Sequence, residues 1–220
     1  MWCVSFSSSH KKTSKLSNII LHQFEGLHKL WDTPEAKGIY IARQDDDDIS
    51  KCERLEKEVD FLDNNLEYSI VGTLADVYDD DGIWGEYRVE EKPNKKSFYW
   101  NSPFMHPNIM MRKEALDKCD GYRIAKETRR CEDLDLFMRM YALGYKGYNI
   151  QEKLYEYRIV NDEKKKYRPM KYRIDEAVVR YKGYKSLKIL NVKGFIYIIK
   201  PILIGLIPQK LLYKIKKTQY

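Results

Sequence analysis

Four consecutive aspartates, Asp45 to Asp48, close the stretch GIYIARQDDDD, and no basic residue follows until Lys51. Like charges side by side repel, so such a run either faces water or gathers around a cation. On an extended segment, residues two apart point the same way. That alternation sets Asp45 with Asp47 on one side and Asp46 with Asp48 on the other. Two carboxylates converging at a strand end are hard oxygen donors, suited to Mg²⁺, Mn²⁺ or Ca²⁺. Mg²⁺ or Mn²⁺ held by one or two carboxylates completes its shell with water and phosphate oxygens. A nucleoside diphosphate is then the natural third party. The alternative is a solvated turn, with Asp47 and Asp48 placed favourably beside a helix N-terminus. The residue types alone leave both readings open.

The surrounding elements have to present that run. GIYIAR (38–43) is rich in β-formers and alternates Ile39 and Ile41 with Tyr40 and Ala42, so it reads as a strand with the aspartates at its carboxyl end. Ser50 and Glu53 have capping-box spacing. Leu55, Val59 and Leu62 then recur at helical spacing, and Asn64-Asn65 end the helix. YSIVGT (68–73) is a second strand. Strand, acidic turn, helix and strand make one β-α-β unit, and open α/β sheets bind ligands at the carboxyl ends of their strands. Residues 76–96 are polar and turn-rich, a loop or hairpin. RKEAL (112–116) begins a short helix that Gly121 ends. CEDLDLFMRMYAL (131–143) puts Leu134, Phe137, Met138 and Tyr141 on one helical face, and Gly144 supplies the stop. KGYNI (146–150) and LYEYRI (154–159) are two further strand candidates, and 161–193 reads as a basic helical stretch. Strands alternating with helices place the chain in the α/β class.

The 220 residues suffice for one domain with a sizeable core. The net charge of +7 is unevenly spread: residues 161–220 hold sixteen Lys/Arg against four Asp/Glu, so the first 160 are net acidic. Cys3, Cys52, Cys119 and Cys131 show no C-x-x-C or zinc-ligand spacing and read as reduced thiols of a cytosolic protein. The first seventeen residues, rich in Ser and Lys, are expected to be poorly ordered and contain no signal-peptide core. No run of about 20 apolar residues predicts a spanning helix. The nearest, GFIYIIKPILIGLIP (194–208), is broken by Lys200 and Pro201. The basic tail is not accompanied by a helix-turn-helix or RNA-binding signature, so nucleic acid is not an expected partner.

KGIYIARQDDDDISKCERLEKEVDFLDNN resembles the donor-site segment of the family 2 glycosyltransferases, whose pattern runs G-x-Y-I-A-R-x-D-x-D-D and then E-R-L-E-x-Q. The resemblance continues in order through FMHPNIMMRKEAL (104–116), GYR (121–123), RRCEDLDLFMRMYALGYKGYNI (129–150) and LYEYR (154–158), covering roughly residues 37–215. It is similar to bacterial members acting in capsule, exopolysaccharide or cell-wall glycan synthesis. The resemblance implies a GT-A-like (Rossmann-like) mixed sheet flanked by helices. It also implies transfer of a sugar, with inversion, from a nucleotide-sugar such as a UDP-sugar to an acceptor hydroxyl. Asp45 and Asp47 match the D-x-D that would bind Mn²⁺ or Mg²⁺ and, through it, the diphosphate. Asp133 of the Glu132-Asp133 pair matches the expected general base, which takes the hydroxyl proton as oxygen attacks C1. Arg129 and Arg130 would steady phosphate or acceptor charge. His106 would line the site or approach the metal, unless it simply closes a turn before Pro107. Trp84 and Trp100 would stack on a sugar or anchor loops. Without the resemblance, Glu132 and Asp133 also suit the first turn of a helix through its dipole.

One departure shapes the expectations. Family members open with an apolar strand of type V-S-V-I-I-P-x-Y-N, followed by a helix and a second strand. These occupy about 80 to 90 residues ahead of the Y-I-A-R segment. Here 37 residues precede Gly38, and none reads as that strand. Residues 16–37 match at most the helix leading into Y-I-A-R. The expectation is an N-terminally truncated chain: a partial GT-A domain over 18–160 and a basic helical region over 161–220. A partner chain would supply the missing half. The alternative is an inactive remnant, or one part of a split enzyme acting as a membrane-associated binding subunit. In the tail, Phe195, Ile196, Ile199, Ile202 and Leu203 recur at helical spacing among lysines. They predict either a packed helix or an interfacial anchor on anionic headgroups, with the anchor preferred. The chain is then expected at the cytoplasmic face of the membrane, with a glycan or lipid-linked acceptor.

Overall fold

The computed structural model describes residues 16–17, 38–159 and 168–207. The expectations of a poorly ordered stretch over 1–17 and of a helix over 16–37 fall outside those residues, as do the readings of 161–167 and 208–220, except at a two-residue strand, β1 (Leu16–Ser17), which pairs in parallel with Tyr40 and Ile41. The sequence-predicted β-α-β unit is present. It consists of β2 (Tyr40–Ala42), helix α1 (Arg54–Asn64) and β4 (Ile70–Asp79), with Asn65 at the carboxyl cap of the helix. Val59 and Leu62 of α1 pack on Tyr40, Val71 and Met110. Spacing of three along a helix puts both on one face.

The sheet is mixed. β6 (Met110–Arg112) lies between β2 and β4 and is antiparallel to both. On its other side β4 runs parallel to β7 (Gly147–Arg158). Residues 76–96 include a hairpin, in which β5 (Gly82–Tyr87) returns antiparallel along the second half of β4. β3 (Ile49–Ser50) pairs antiparallel with the end of β7. KGYNI and LYEYRI, expected as two strands, are one: residues 151–153 between them are exposed and polar, which hides the continuity from a hydrophobic pattern.

The proposed capping box does not form. Ser50 lies in β3, Glu53 is the N-cap of α1, and no side chain caps the helix. Pairing of Ile49 and Ser50 with Glu156 and Tyr155 overrides the local preference.

The core lies on the face of the sheet covered by α2 (Lys113–Lys118), α3 (Glu132–Ala142), α4 (Met170–Ser186) and α5 (Val192–Leu206). Leu134, Phe137, Met138 and Tyr141 of α3 are buried there, as their spacing predicts. Tyr141 ties the helix to the sheet: its hydroxyl accepts from Gly147 N at 3.0 Å and donates to Pro93 O at 3.0 Å. Gly147 is required by close approach, because the Phe104 ring fills the place where a Cβ would stand. Arg180, 2% exposed, donates to Tyr184 Oη at 2.7 Å and Tyr99 O at 3.1 Å and pairs with Glu176 at 2.9 Å, fastening α4 to residues 98–100.

Beneath the acidic turn lies a buried pair. Arg54 and Glu58 of α1 are 1% and 0% exposed, with Arg54 Nε 3.7 Å from Glu58 Oε2. Neither Glu58 oxygen has a hydrogen-bond partner. Burial pushes its carboxyl up to about 8, against the pull of Arg54. The folded value exceeds the ordinary 4.5, so the folded state holds this proton more tightly. Its contribution is complete below about 4.5 and is lost as pH rises through about 8. Urea denaturation is therefore expected to give a midpoint that falls between pH 5 and 9, and Glu58→Gln is expected to make that fall shallower.

Candidate active site

The chain leaves β2 at Ala42, passes the carboxyl ends of β4 and β7, and joins β7 as β3. The aspartates lie in that passage. Three bonds set its path: Arg43 N donates to Ile109 O at 2.8 Å, Asp48 N to Asp45 O at 3.4 Å, and Lys51 N to Leu154 O at 3.0 Å. The segment is a turn, so the alternation expected of an extended chain fails. Asp45 and Asp48 are buried, at 8% and 7% exposure, while Asp46 and Asp47 face solvent. The inward pair is thus Asp45 with Asp48.

Each buried carboxylate has its own support. Asp48 accepts from Tyr155 Oη at 2.9 Å and from Arg158 N at 2.8 Å. Burial raises it to about 7 in spite of those bonds, with a further push from Asp45 and Asp47. Tyr155, fully buried on β7, also accepts from Asp45 N at 3.3 Å, so a single hydroxyl joins both ends of the turn. Tyr78 Oη donates to Asp47 O at 2.8 Å. Asp45 pairs with Arg43 Nη2 at 2.8 Å. Burial raises its carboxyl, and the Arg43 guanidinium opposes that rise.

The other amino group of Arg43 lies against the His106 ring. His106 Nε2 is 2.7 Å from Tyr122 Oη, and the ring packs edge-on to Phe137 of α3. Burial first, and Arg43 second, hold the imidazole well below its ordinary value, so it is neutral. Both ring nitrogens of His106, the residue expected to line the site or approach the metal, are engaged by Arg43 and Tyr122. It serves as a spacer between the acidic turn and α3.

Asp133 and Glu132 open α3, both half-buried. Burial, and then the Glu132 charge, raise Asp133 to about 6; the Leu134 amide and Arg43 oppose this. The charges of Asp45, Asp133, Glu132 and Arg43 all act on the buried Tyr122 hydroxyl. Two acidic segments nearly ninety positions apart therefore meet around Arg43, His106 and Tyr122. Arg129 and Arg130 are exposed in the turn before α3. Arg130 has a left-handed backbone, φ 63°, and its guanidinium lies over the Tyr172 ring. Trp84 is exposed on β5, and Trp100 stands beside α5 with Lys200 Nζ 3.4 Å from its ring centre.

Among the described residues, no three His, Cys, Asp or Glu side chains gather closely enough to hold a metal on their own. The donor set fits a hard divalent cation that brings further oxygens with it. Asp45 already draws a cation, and solvent-facing Asp47 is near enough for its charge to raise Asp45.

A mixed sheet flanked by helices, with an acidic turn at the carboxyl ends of its strands, defines a GT-A-like α/β fold. The fold is shared by Staphylococcus aureus TarS 1–349, solved with UDP-GlcNAc, at a TM-score of 0.53 and 14% identity over 80% of this chain and 54% of that one. Residues 33–120 match the model of Glycosyl transferase family 2, and the chain belongs to that family. It is 40% identical to EpsE of Bacillus subtilis strain 168, named as a glycosyltransferase, over 84% of this chain and 66% of EpsE. It is 28% identical to the Escherichia coli UDP-Gal:alpha-D-GlcNAc-diphosphoundecaprenol beta-1,3-galactosyltransferase over 76% of this chain and 61% of that enzyme. The chain thus spans just under two thirds of these relatives' lengths.

Tyr155→Phe removes the hydroxyl that serves both Asp45 and Asp48. Loss of a bond to a charged group is expected to lower unfolding stability by about 2 kcal/mol, read from urea denaturation at pH 8. An unchanged midpoint would mean that the turn stands without it.

Proposed function

We propose that the chain transfers a sugar, with inversion, from a nucleotide-sugar to an acceptor hydroxyl in the synthesis of a bacterial surface polysaccharide. The observation that carries this reading is the meeting of the acidic turn with Asp133 around Arg43, His106 and Tyr122. Relatives named as glycosyltransferases support the reaction class, and UDP-GlcNAc in the TarS structure supports a UDP-sugar donor.

Asp45 and Asp47 would hold Mn²⁺ or Mg²⁺, whose chemistry is to neutralise the diphosphate leaving group. Asp133 is the general base. As the acceptor oxygen bonds to C1 and the C1–O bond to phosphate breaks, the hydroxyl proton passes to the Asp133 carboxylate. A base raised to about 6 is ionised at neutral pH yet close enough to it to accept a proton readily. Glu132 keeps Asp133 raised by its charge. Arg129 and Arg130, exposed in the turn just before α3, would steady the arriving phosphates or acceptor.

The acceptor is a glycan or a lipid-linked glycan, met at the cytoplasmic face of a membrane. Among the described residues no helix is long and apolar enough to cross a bilayer. α5 instead exposes one stripe: Val192, Phe195, Ile196, Ile199, Leu203 and Leu206. Neighbouring α4 adds Ile174, Val178 and Tyr181. Such a face, flanked by exposed Lys185, Lys188 and Lys193, suits an anionic lipid surface.

Asp133→Asn is expected to lower kcat by about 10²- to 10⁴-fold in a sugar-transfer assay and to leave metal-dependent UDP binding intact. The wild-type rate should rise with pH through about 6, because the base must lose its proton. Asp47→Ala should abolish Mn²⁺-dependent UDP binding in calorimetry. Retained activity in Asp133→Asn would remove the base assignment. In co-sedimentation, the wild type should bind vesicles containing phosphatidylserine and the pair Phe195→Ser, Ile199→Ser should not.

A further inference from the structure

Asp45 is a nearly buried carboxylate that would be costly to leave without a cation. Its partner is Arg43, two residues back on the same strand end, with Nη2 at 2.8 Å and the residue as a whole 3% exposed. Arg180, buried in its ion pair with Glu176, fills its donors with Glu176, Tyr184 and backbone carbonyls. Arg43 does not. Its Nε is buried with no acceptor, and one amino group meets only the neutral His106 ring. The ring is itself braced by Tyr122 and Phe137. The guanidinium is therefore held at Asp45 with donors to spare.

We propose that Arg43 is a resident counter-cation that occupies Asp45 until a divalent metal arrives, and that the two compete for this carboxylate. The inference rests on the assignment of Asp45 and Asp47 as the metal-holding pair. Two like charges on one carboxylate repel strongly in a site shielded from water. Arg43 would therefore leave Asp45 when a divalent cation is held there. Its freed amino group and its unpartnered Nε would then be available to the anion that accompanies the metal, since a guanidinium offers two parallel donors to a phosphate. In the absence of metal, Arg43 holds the Asp45 carboxylate in place. Arg43 is on this account a positioning residue that sets the threshold for metal binding.

The test uses Mn²⁺ alone, with no nucleotide, followed by the paramagnetic resonance signal of the free ion. The wild type is expected to bind Mn²⁺, and Asp47→Ala to lose it. Arg43→Met should bind about tenfold more tightly, since an adjacent like charge costs a cation about that much. Arg43→Lys, which keeps the charge, should stay near the wild type. Equal or weaker binding by Arg43→Met overturns the inference while the Asp47→Ala loss leaves the metal site standing. No Asp47-dependent binding in the wild type overturns both. Should Arg43→Met fail to fold, titration of the wild type with diamagnetic Mg²⁺ decides. The Arg43 Nε–H resonance should move as the pair with Asp45 breaks, and a resonance that stays fixed overturns the inference.

Discussion

One hydroxyl on β7 holds the shape of the site. Tyr155 accepts from Asp45 N and donates to the Asp48 carboxylate, while Arg158 N takes the other Asp48 oxygen. These bonds pin a run of four like charges against the sheet, where repulsion alone would drive it into water. With Asp48 held inward and Asp47 outward, the chain turns far enough to reach β7 as strand β3. Asp45 is left facing Arg43. Arg54 strengthens the arrangement from below, stacking on the Tyr155 ring at 5.0 Å and donating to Arg43 O at 3.0 Å.

From there the electrostatics extend across the domain. Arg43 leans on His106, and His106 on Tyr122 and Phe137. Phe137 and Asp133 stand four residues apart on α3, and so share a face. The same helix face that enters the core thus places the carboxylate at the site. Burial raises Asp45, Asp48 and Asp133 together, so each holds negative charge at a cost. A site in that condition favours a divalent ion and an arriving hydroxyl proton, both of which relieve excess negative charge.

Much of this was legible in the sequence where local rules decide. The β-α-β unit, the Asn65 stop, the apolar face of α3 and the acids in its first turn follow from period and capping alone. The resemblance to family 2 glycosyltransferases supplied the pairing of the acidic turn with Asp133, which spacing could not. What escaped depended on contacts between distant residues. The expected alternation of Asp45 with Asp47 failed because a turn closes between Asp45 and Asp48. The expected cap at Ser50 failed because that residue pairs with Tyr155. Arg43 carried no signal beyond its place in the Y-I-A-R segment. His106 was expected to line the site, approach the metal or close a turn before Pro107, and the packing adds its contacts with Arg43 and Tyr122.

As proposed, the acidic turn and the start of α3 form one site around one metal. Paramagnetic broadening of backbone amide signals by substoichiometric Mn²⁺ tests it most directly. Broadening should be strongest at Asp45 to Asp48, extend to Glu132 and Asp133, and leave α5 untouched. Broadening centred on the exposed acidic hairpin turn at Asp79 to Asp81, with Asp133 unaffected, would contradict it.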